Sequence, residues 1–224
     1  MKHIKRLSEK DYEDIFKLSQ FAFQYTLTEE QLKRKSEDAK RHNIWGYEID
    51  GELAGKLHII PLKIYLNEEI FEMGGISSVA TWPEYRRQGI ANKLLIHALK
   101  EMKRAGQVIS LLHPFHVGFY RKYGWELTFM NKKYTIPIER MKQNWNGEGY
   151  IRRMNSIEVL DSIYHQFAKK YNGMIVRDRN WWEHRVLTDD EAQIAVSYNL
   201  NGQAEGYIVY KVRDHILKVQ EIAY

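Results

Sequence analysis

Cysteine is missing from this chain of 224 residues. Its absence excludes disulfides, thiolate metal sites and a cysteine nucleophile together. Long apolar runs are missing as well: no window approaches the run of about 18 apolar residues that a membrane-spanning helix needs. The opening stretch MKHIKRLSEKDYEDIF lacks the apolar core of a secretory signal. These absences fit a cytoplasmic protein with no membrane partner. A dense basic stripe is also lacking. Lys and Arg outnumber Asp and Glu by 34 to 29, a formal charge of +5, but Lys33-Arg34-Lys35 sits among acids and reads as a solvated helix face. Nucleic-acid binding is therefore the weakest class. What is present is 44% hydrophobic residues, enough for one large domain or one and a half ordinary ones.

The pattern begins with a strand over His3–Arg6. Ser8 is a cap residue with Asp11 three positions on, ahead of a helix carrying Ile15, Phe16, Leu18 and Phe21. A charge-dense helix follows over Thr28–Arg41. Ile44–Ile49, the Asp50-Gly51 turn and Leu53–Leu66 form a hairpin, because Asp-Gly between strand patterns supplies the left-handed backbone of a tight turn. Asn67-Glu68-Glu69 turns into a further strand, Ile70–Thr81. From Gly89 to Ala105 the apolar residues Ile90, Ala91, Leu94, Leu95, Ala98, Leu99 and Met102 keep a helical period, and Gly106 can cap that helix. Gln107–Leu112 is a short strand. Strand, helix and strand at this spacing imply a parallel crossover. The expected class is α/β, with a mixed, mostly antiparallel sheet.

The stretch TWPEYRRQGIAN joins strand to helix. Pro83 stops the strand and presets the turn. Gly89 leaves the helix start unobstructed, where the first N–H groups have no internal partner and face the positive end of the dipole. Arg86 and Arg87 add full charges. Such an assembly suits a phosphate or pyrophosphate, although it is neither a P-loop nor a dinucleotide fingerprint. A tight turn with surface arginines is the structural alternative.

Arg86-Arg87-Gln88-Gly89-Ile90-Ala91 resembles the Q/R-x-x-G-x-G/A motif of the GNAT N-acetyltransferases. The flanking strand end, Val79-Ala80-Thr81, and the helix after it agree with that resemblance. Downstream, Gly118-Phe119-Tyr120-Arg121-Lys122-Tyr123-Gly124-Trp125 is similar to the region where a GNAT tyrosine protonates the departing CoA thiolate. Together the two segments look most like the Eis-type acetyltransferases, which carry two fused GNAT domains and a sterol-carrier-like domain. The resemblance implies a GNAT fold that uses acetyl-CoA as co-substrate. It implies Tyr120 as general acid. Val79, Ala80 and Thr81, then Arg86, Arg87, Gln88, Gly89, Ile90, Ala91 and Asn92, with Phe115 and His116, would line the coenzyme site. It also implies an aminoglycoside-like, polyamine or lysine amine as acceptor, and a homo-oligomer, with hexamers common in the family.

The chemistry fits these roles. An amine with a pKa near ~10.4 arrives protonated at neutral pH and must lose a proton. Attack on the thioester builds negative charge on oxygen, for which strand-end N–H groups at Val79–Thr81 are donors. The leaving thiolate then needs a proton, which a phenol can supply. Without cysteine an acetyl-cysteine intermediate is excluded, which favours direct transfer within a ternary complex. The alternative for Tyr120 is a packing aromatic among Phe119, Tyr123 and Trp125. His113 and His116 form H-x-x-H, but Pro114 disrupts the spacing and no metal is expected. Glu72 lies at odd spacing from Val79, on the opposite face of a regular strand, unless Gly74-Gly75 forms a bulge. Phe21, Phe23, Tyr25 and Trp45 read as core or lid residues, with the acceptor site as an alternative.

The chain also repeats itself. Asp50-Gly51-Glu52-Leu53-Ala54-Gly55 and Asn201-Gly202-Gln203-Ala204-Glu205-Gly206 both read [D/N]-G-x-x-x-G between strand patterns. Helical patterns at Ile157–Ala168 and Asn180–Leu187 precede the second copy, and strands follow at 207–210 and 217–224. The expected organisation is a GNAT domain over 1–140, a linker over 141–150, and an incomplete second GNAT-like domain over 151–224. A meander ending on a fresh edge is an aggregation liability, so a longer protein is expected. In the Eis-type family the terminal carboxylate of the chain serves as base; that residue lies outside this sequence, which leaves the proton acceptor unassigned. A CoA-binding regulatory module without efficient catalysis is the competing function.

Overall fold

The computed structural model describes residues 3–141 and 147–224. Fifteen segments make up its two sheets and their helices: β1 (Ile4–Leu7), α1 (Tyr12–Phe23), α2 (Glu29–Ala39), β2 (Asn43–Ile49), β3 (Glu52–Leu66), β4 (Glu69–Thr81), α3 (Ile90–Arg104), β5 (Ile109–Leu112) and α4 (Val117–Arg121), then β6 (Tyr150–Arg153), α5 (Ile157–Ala168), α6 (Arg179–Trp181), β7 (Gln193–Tyr198), β8 (Ala204–Arg213) and β9 (Ile216–Ala223). The strands form one sheet in the order β1-β2-β3-β4-β5 and another in the order β6-β7-β8-β9. The chain divides into two compact units. One holds the residues up to Lys63 with Phe71–Thr128; the other holds Ile64–Ile70 with Phe129–Tyr224.

In the first unit, local chemistry sets the helix starts. Ser8 and Asp11 exchange capping bonds around a short 3-10 turn that leads into α1. Thr28 and Gln31 do the same at α2, with Gln31 N–H reaching the Thr28 hydroxyl at 3.2 Å. α2 buries only Ala39, so caps and first-turn acids hold it more than packing does. The Asp50-Gly51 turn has φ values of 50° and 86°, as a tight hairpin requires. α3 buries Ile90, Leu94, Leu95, Ala98 and Met102 along one stripe, each large side chain contributing about 1.5–3 kcal/mol. β4 and β5 pair in parallel from Met73↔Ile109 to Ile76↔Leu112, as the crossover predicts. Gly74 and Gly75 keep an unbroken register with β5. A Cβ on Gly74 would lie 2.1 Å from the Met102 sulfur, so this glycine lets α3 seat on β4. The irregularity falls instead at Ser78, with φ of 55°.

The second unit packs α5 on its antiparallel sheet around Leu160, Tyr164, Trp182, Val196, Tyr207 and Val209. Residues of the β3–β4 hairpin tip belong to this unit. Tyr65 is buried there; its N–H donates to the Met174 carbonyl at 2.9 Å and its carbonyl accepts from Gly173 N–H at 2.8 Å. Arg177 makes a two-pronged ion pair with Glu221 at 2.6 and 2.7 Å. The expected helix over Asn180–Leu187 is not regular: α6 passes into a π turn over Trp182–Val186 that buries Trp182. β6 was not visible in the pattern, because YIRR has no apolar alternation and stays exposed. Much of the expected linker, Lys142–Asn146, lies outside the described residues. The repeat itself is structural. Each copy's hairpin has a register shift at the same place, with Gly55 and Leu53 opposite Tyr47 and Glu48 in one, and Gly206 and Ala204 opposite Ser197 and Tyr198 in the other.

Candidate active site

β4 outruns its partner. Parallel pairing with β5 ends at Ile76, whereas β4 continues through Ser77 to Thr81. Among the described residues those last positions have no strand on the β5 side. The left-handed Ser78 changes the direction of the strand just before Val79, Ala80 and Thr81. Glu72 faces elsewhere and pairs with Lys63 at 2.9 Å, both half exposed.

The loop after β4 is built to stay open. A 3-10 turn over Pro83–Tyr85 is closed by Tyr85 N–H to the Trp82 carbonyl and Arg86 N–H to the Pro83 carbonyl, both at 3.1 Å. Arg87 then takes φ of 63° and Gly89 φ of 74°. Arg86, Arg87, Gln88 and Gly89 are exposed, while Ile90 is buried and anchors the helix. The first bond of α3 runs from Lys93 N–H to the Gly89 carbonyl at 3.0 Å. The N–H groups of Ile90, Ala91 and Asn92 therefore lie outside the helical ladder, and Gly89 offers no capping side chain. Among the described residues neither Arg86 nor Arg87 makes an ion pair. The result is a helix start with unpaired N–H groups, a favourable dipole and two adjacent cations, the chemistry of an anion site. A Cβ on Gly55 of β3 would approach Ile90 Cγ2 to 2.9 Å and the Ala80 carbonyl and Thr81 Oγ1 to 3.0 Å. That glycine brings the end of β4 and the start of α3 together.

Tyr120 lies in α4, whose N-cap is His116: its Nδ1 accepts from Phe119 N–H at 3.1 Å. The capping role fixes one nitrogen of the H-x-x-H pair on its own helix. Among the described residues there is no group of three or more His, Cys, Asp or Glu able to hold a metal. Tyr120 is 5% exposed, edge-on to Phe119 at 5.1 Å, Phe115 at 5.6 Å and Trp125 at 6.2 Å. Burial raises its phenol above the usual tyrosine value, and no described residue holds its hydroxyl. His116 and Phe115 are exposed, Phe115 by 76%. Phe21 and Phe23 are not core residues: both are about half exposed, and Phe21 packs on Trp82 at 4.9 Å between ring centres.

One cluster beside this strand escaped the sequence reading. Lys56 and His58 alternate along β3 and would face water on a one-sided sheet. Both are buried, Lys56 completely, because α1 covers that face through Ser19. Lys56 Nζ reaches Ser19 Oγ at 2.6 Å, Ser78 Oγ at 2.8 Å and His58 Nε2 at 3.4 Å. The signal was the pair of basic residues in the otherwise apolar strand KLHII.

A family profile described as "Acetyltransferase (GNAT) domain" matches residues 3–128, and a second of the same description matches 173–224. The chain belongs to the GNAT acetyltransferase family, whose domains use acetyl-CoA as co-substrate. It is similar in structure to a conserved protein from Enterococcus faecalis V583 described as a probable N-acyltransferase, with TM-score 0.90, 28% identity, 99% of this chain covered and 58% of that one. It also shares its fold with Eis1 from Mycobacterium abscessus (TM-score 0.80, 20% identity, covering 98% and 58%) and with a GCN5-related N-acetyltransferase from Kribbella flavida (TM-score 0.75, 20% identity, covering 98% and 56%). The chain spans less than two thirds of the length of these structures. No curated protein matches it.

Proposed function

We propose that this chain carries out acetyl-CoA-dependent N-acetylation of a primary amine, by direct transfer within a ternary complex. The observation that carries the reading is the open helix start behind the exposed residues Arg86 to Gly89. In this reading the N–H groups of Ile90, Ala91 and Asn92, with Arg86, Arg87, Gln88 and Gly89, bind the coenzyme diphosphate. The end of β4 that runs on past β5, Val79 to Thr81, orients the pantetheine arm and offers N–H groups on that open side to the thioester oxygen as it gains negative charge. Acetyl-CoA supplies the activated acetyl group; Tyr120 supplies the proton that the thiol needs on leaving, with Phe115 and His116 at the mouth of the site. The direct route is favoured because the chain has no cysteine to hold the acetyl group.

The Eis-type motifs extend the proposal to an aminoglycoside-like, polyamine or lysine acceptor, a cytoplasmic setting and a homo-oligomer. They also extend it to a division into a catalytic domain over 1–140, a linker over 141–150 and a second GNAT-like domain from 151. The test is an acetyl-CoA consumption assay with kanamycin, spermidine and a lysine peptide, alongside calorimetric CoA binding. Binding with turnover of at least one amine is expected. Binding without any turnover would favour a regulatory CoA module, and absent binding would remove the reading altogether.

A further inference from the structure

A lysine buried without a carboxylate is costly, and an apolar residue would ordinarily fill its place. Lys56 of β3 sits opposite Gly46 of β2, covered by α1 and flanked by β4. The ionisable groups acting on this cluster are Lys35 of α2, His58 of β3, His42 after α2, and Tyr25 after α1, which reaches Ser19. No carboxylate is among the groups acting on Lys56 or His58. Ser19 sends its own hydroxyl proton to the Ile15 carbonyl at 2.9 Å, so toward Lys56 it can only accept. Ser78 is different: its hydroxyl is not committed elsewhere among the described residues, and it occupies the left-handed position adjoining Val79. On the other side, His58 Nδ1 lies 3.2 Å from His42 Nδ1, and His42 is partly exposed. A continuous chain of hydrogen-bonding groups thus joins Ser78 of β4 to the partly exposed His42.

We propose that Lys56 is the proton relay of acetyl transfer, drawing a proton from the acceptor amine through the Ser78 hydroxyl and passing it along His58 and His42 to water. The inference rests on the transferase reading above and fills the role of base left open there. Each step balances. In the neutral state Lys56 donates to Ser19 and receives the Ser78 proton on its lone pair. The substrate ammonium gives a proton to the Ser78 oxygen as the Ser78 proton moves to Lys56 Nζ. Lys56 then gives a proton to His58 Nε2, His58 Nδ1 gives one to His42, and His42 gives one to water. Of the two protons lost by the ammonium, one leaves by this route and one replaces the proton that Tyr120 gives to the thiol.

The electrostatics suit a relay. Burial, with a contribution from Lys35, brings Lys56 down from 10.5 to about 7, so neutral and charged forms interconvert at neutral pH. Burial, Lys56, His42 and Lys35 push His58 well below the ordinary histidine range, so it transmits a proton without retaining it.

The test uses the full chain with the panel amine that wild type acetylates fastest, and follows kcat/KM against pH beside CoA affinity. Wild type should show an acid limb near pH 7. Lys56→Met and Ser78→Ala should each lower kcat/KM at pH 7 by about 100-fold or more, leave CoA affinity unchanged, and move the acid limb up toward the pKa of the amine itself. Lys56→Arg, which cannot lose its proton, should behave like Lys56→Met. If Lys56→Met fails to fold, Ser78→Ala decides alone. Profiles lowered without a shift of the limb, or unchanged, would overturn the relay and leave the transferase reading standing. A wild type that binds CoA but acetylates no panel amine would overturn both.

Discussion

Tyr120 keeps its proton by being buried among aromatic rings, which disfavours the phenolate and raises its pKa. In the proposed reaction this keeps it an acid throughout the neutral range, so no alkaline limb from Tyr120 is expected below about pH 10. Tyr120→Phe keeps the packing and removes only the proton; turnover should fall by about 100-fold or more with CoA affinity intact. Undiminished turnover would remove the residue from its role. Lys56 has a stability signature of its own. Its folded pKa lies below its unfolded value, so between about pH 7 and 10 the unfolded chain binds a proton that the folded chain does not. Stability contributed by this group therefore rises with pH across that window. Melting temperatures of wild type minus Lys56→Met should climb between pH 7 and 9; a flat difference would mean that Lys56 is not depressed.

At the scale of elements, the strand–loop–helix join is governed by backbone geometry. Gly89 adopts φ of 74°, and an added Cβ would meet nothing within 4 Å. Gly89→Ala should thus cost about 1 kcal/mol through conformation alone. In the proposed site it should also weaken CoA binding, since the Cβ stands at the opening of the helix start; calorimetry showing unchanged affinity would place the diphosphate elsewhere. This join was legible because proline, arginines and glycine act locally, as do the cap at Ser8 and the Asp50-Gly51 turn. The left-handed position in β4 was not. Gly74-Gly75 was the natural candidate, yet Gly74 yields its space to Met102 of α3, and Ser78 takes the left-handed conformation while its side chain bonds to Lys56. Both facts depend on neighbours distant in sequence.

At the scale of the whole molecule, the compact units do not follow a single cut in the chain. Ile64–Ile70 belong with the later residues, where Ile64 bridges Ile175 and the Tyr65 hydroxyl meets His165 Nδ1 at 2.5 Å. Residues 129–224 expressed alone would lose Tyr65 from their core, a loss of the size of a large-to-small aromatic substitution, about 3–5 kcal/mol. Such a fragment should melt without a cooperative transition, whereas the intact chain should unfold cooperatively. A sharp transition in the fragment's thermal scan would show that the hairpin tip is dispensable.

The sequence by itself determined the order of elements, the antiparallel meanders with a parallel crossover, the repeated hairpin and the open strand–loop–helix join. Each follows from periodicity, turn chemistry or the unpaired N–H groups of a helix start, which act over a few residues. Only the tertiary structure decided that α1 closes over one face of β3, so that Lys56 and His58 are buried. The burial of a polar strand position depends on what covers it, and residues far along the chain supply that cover.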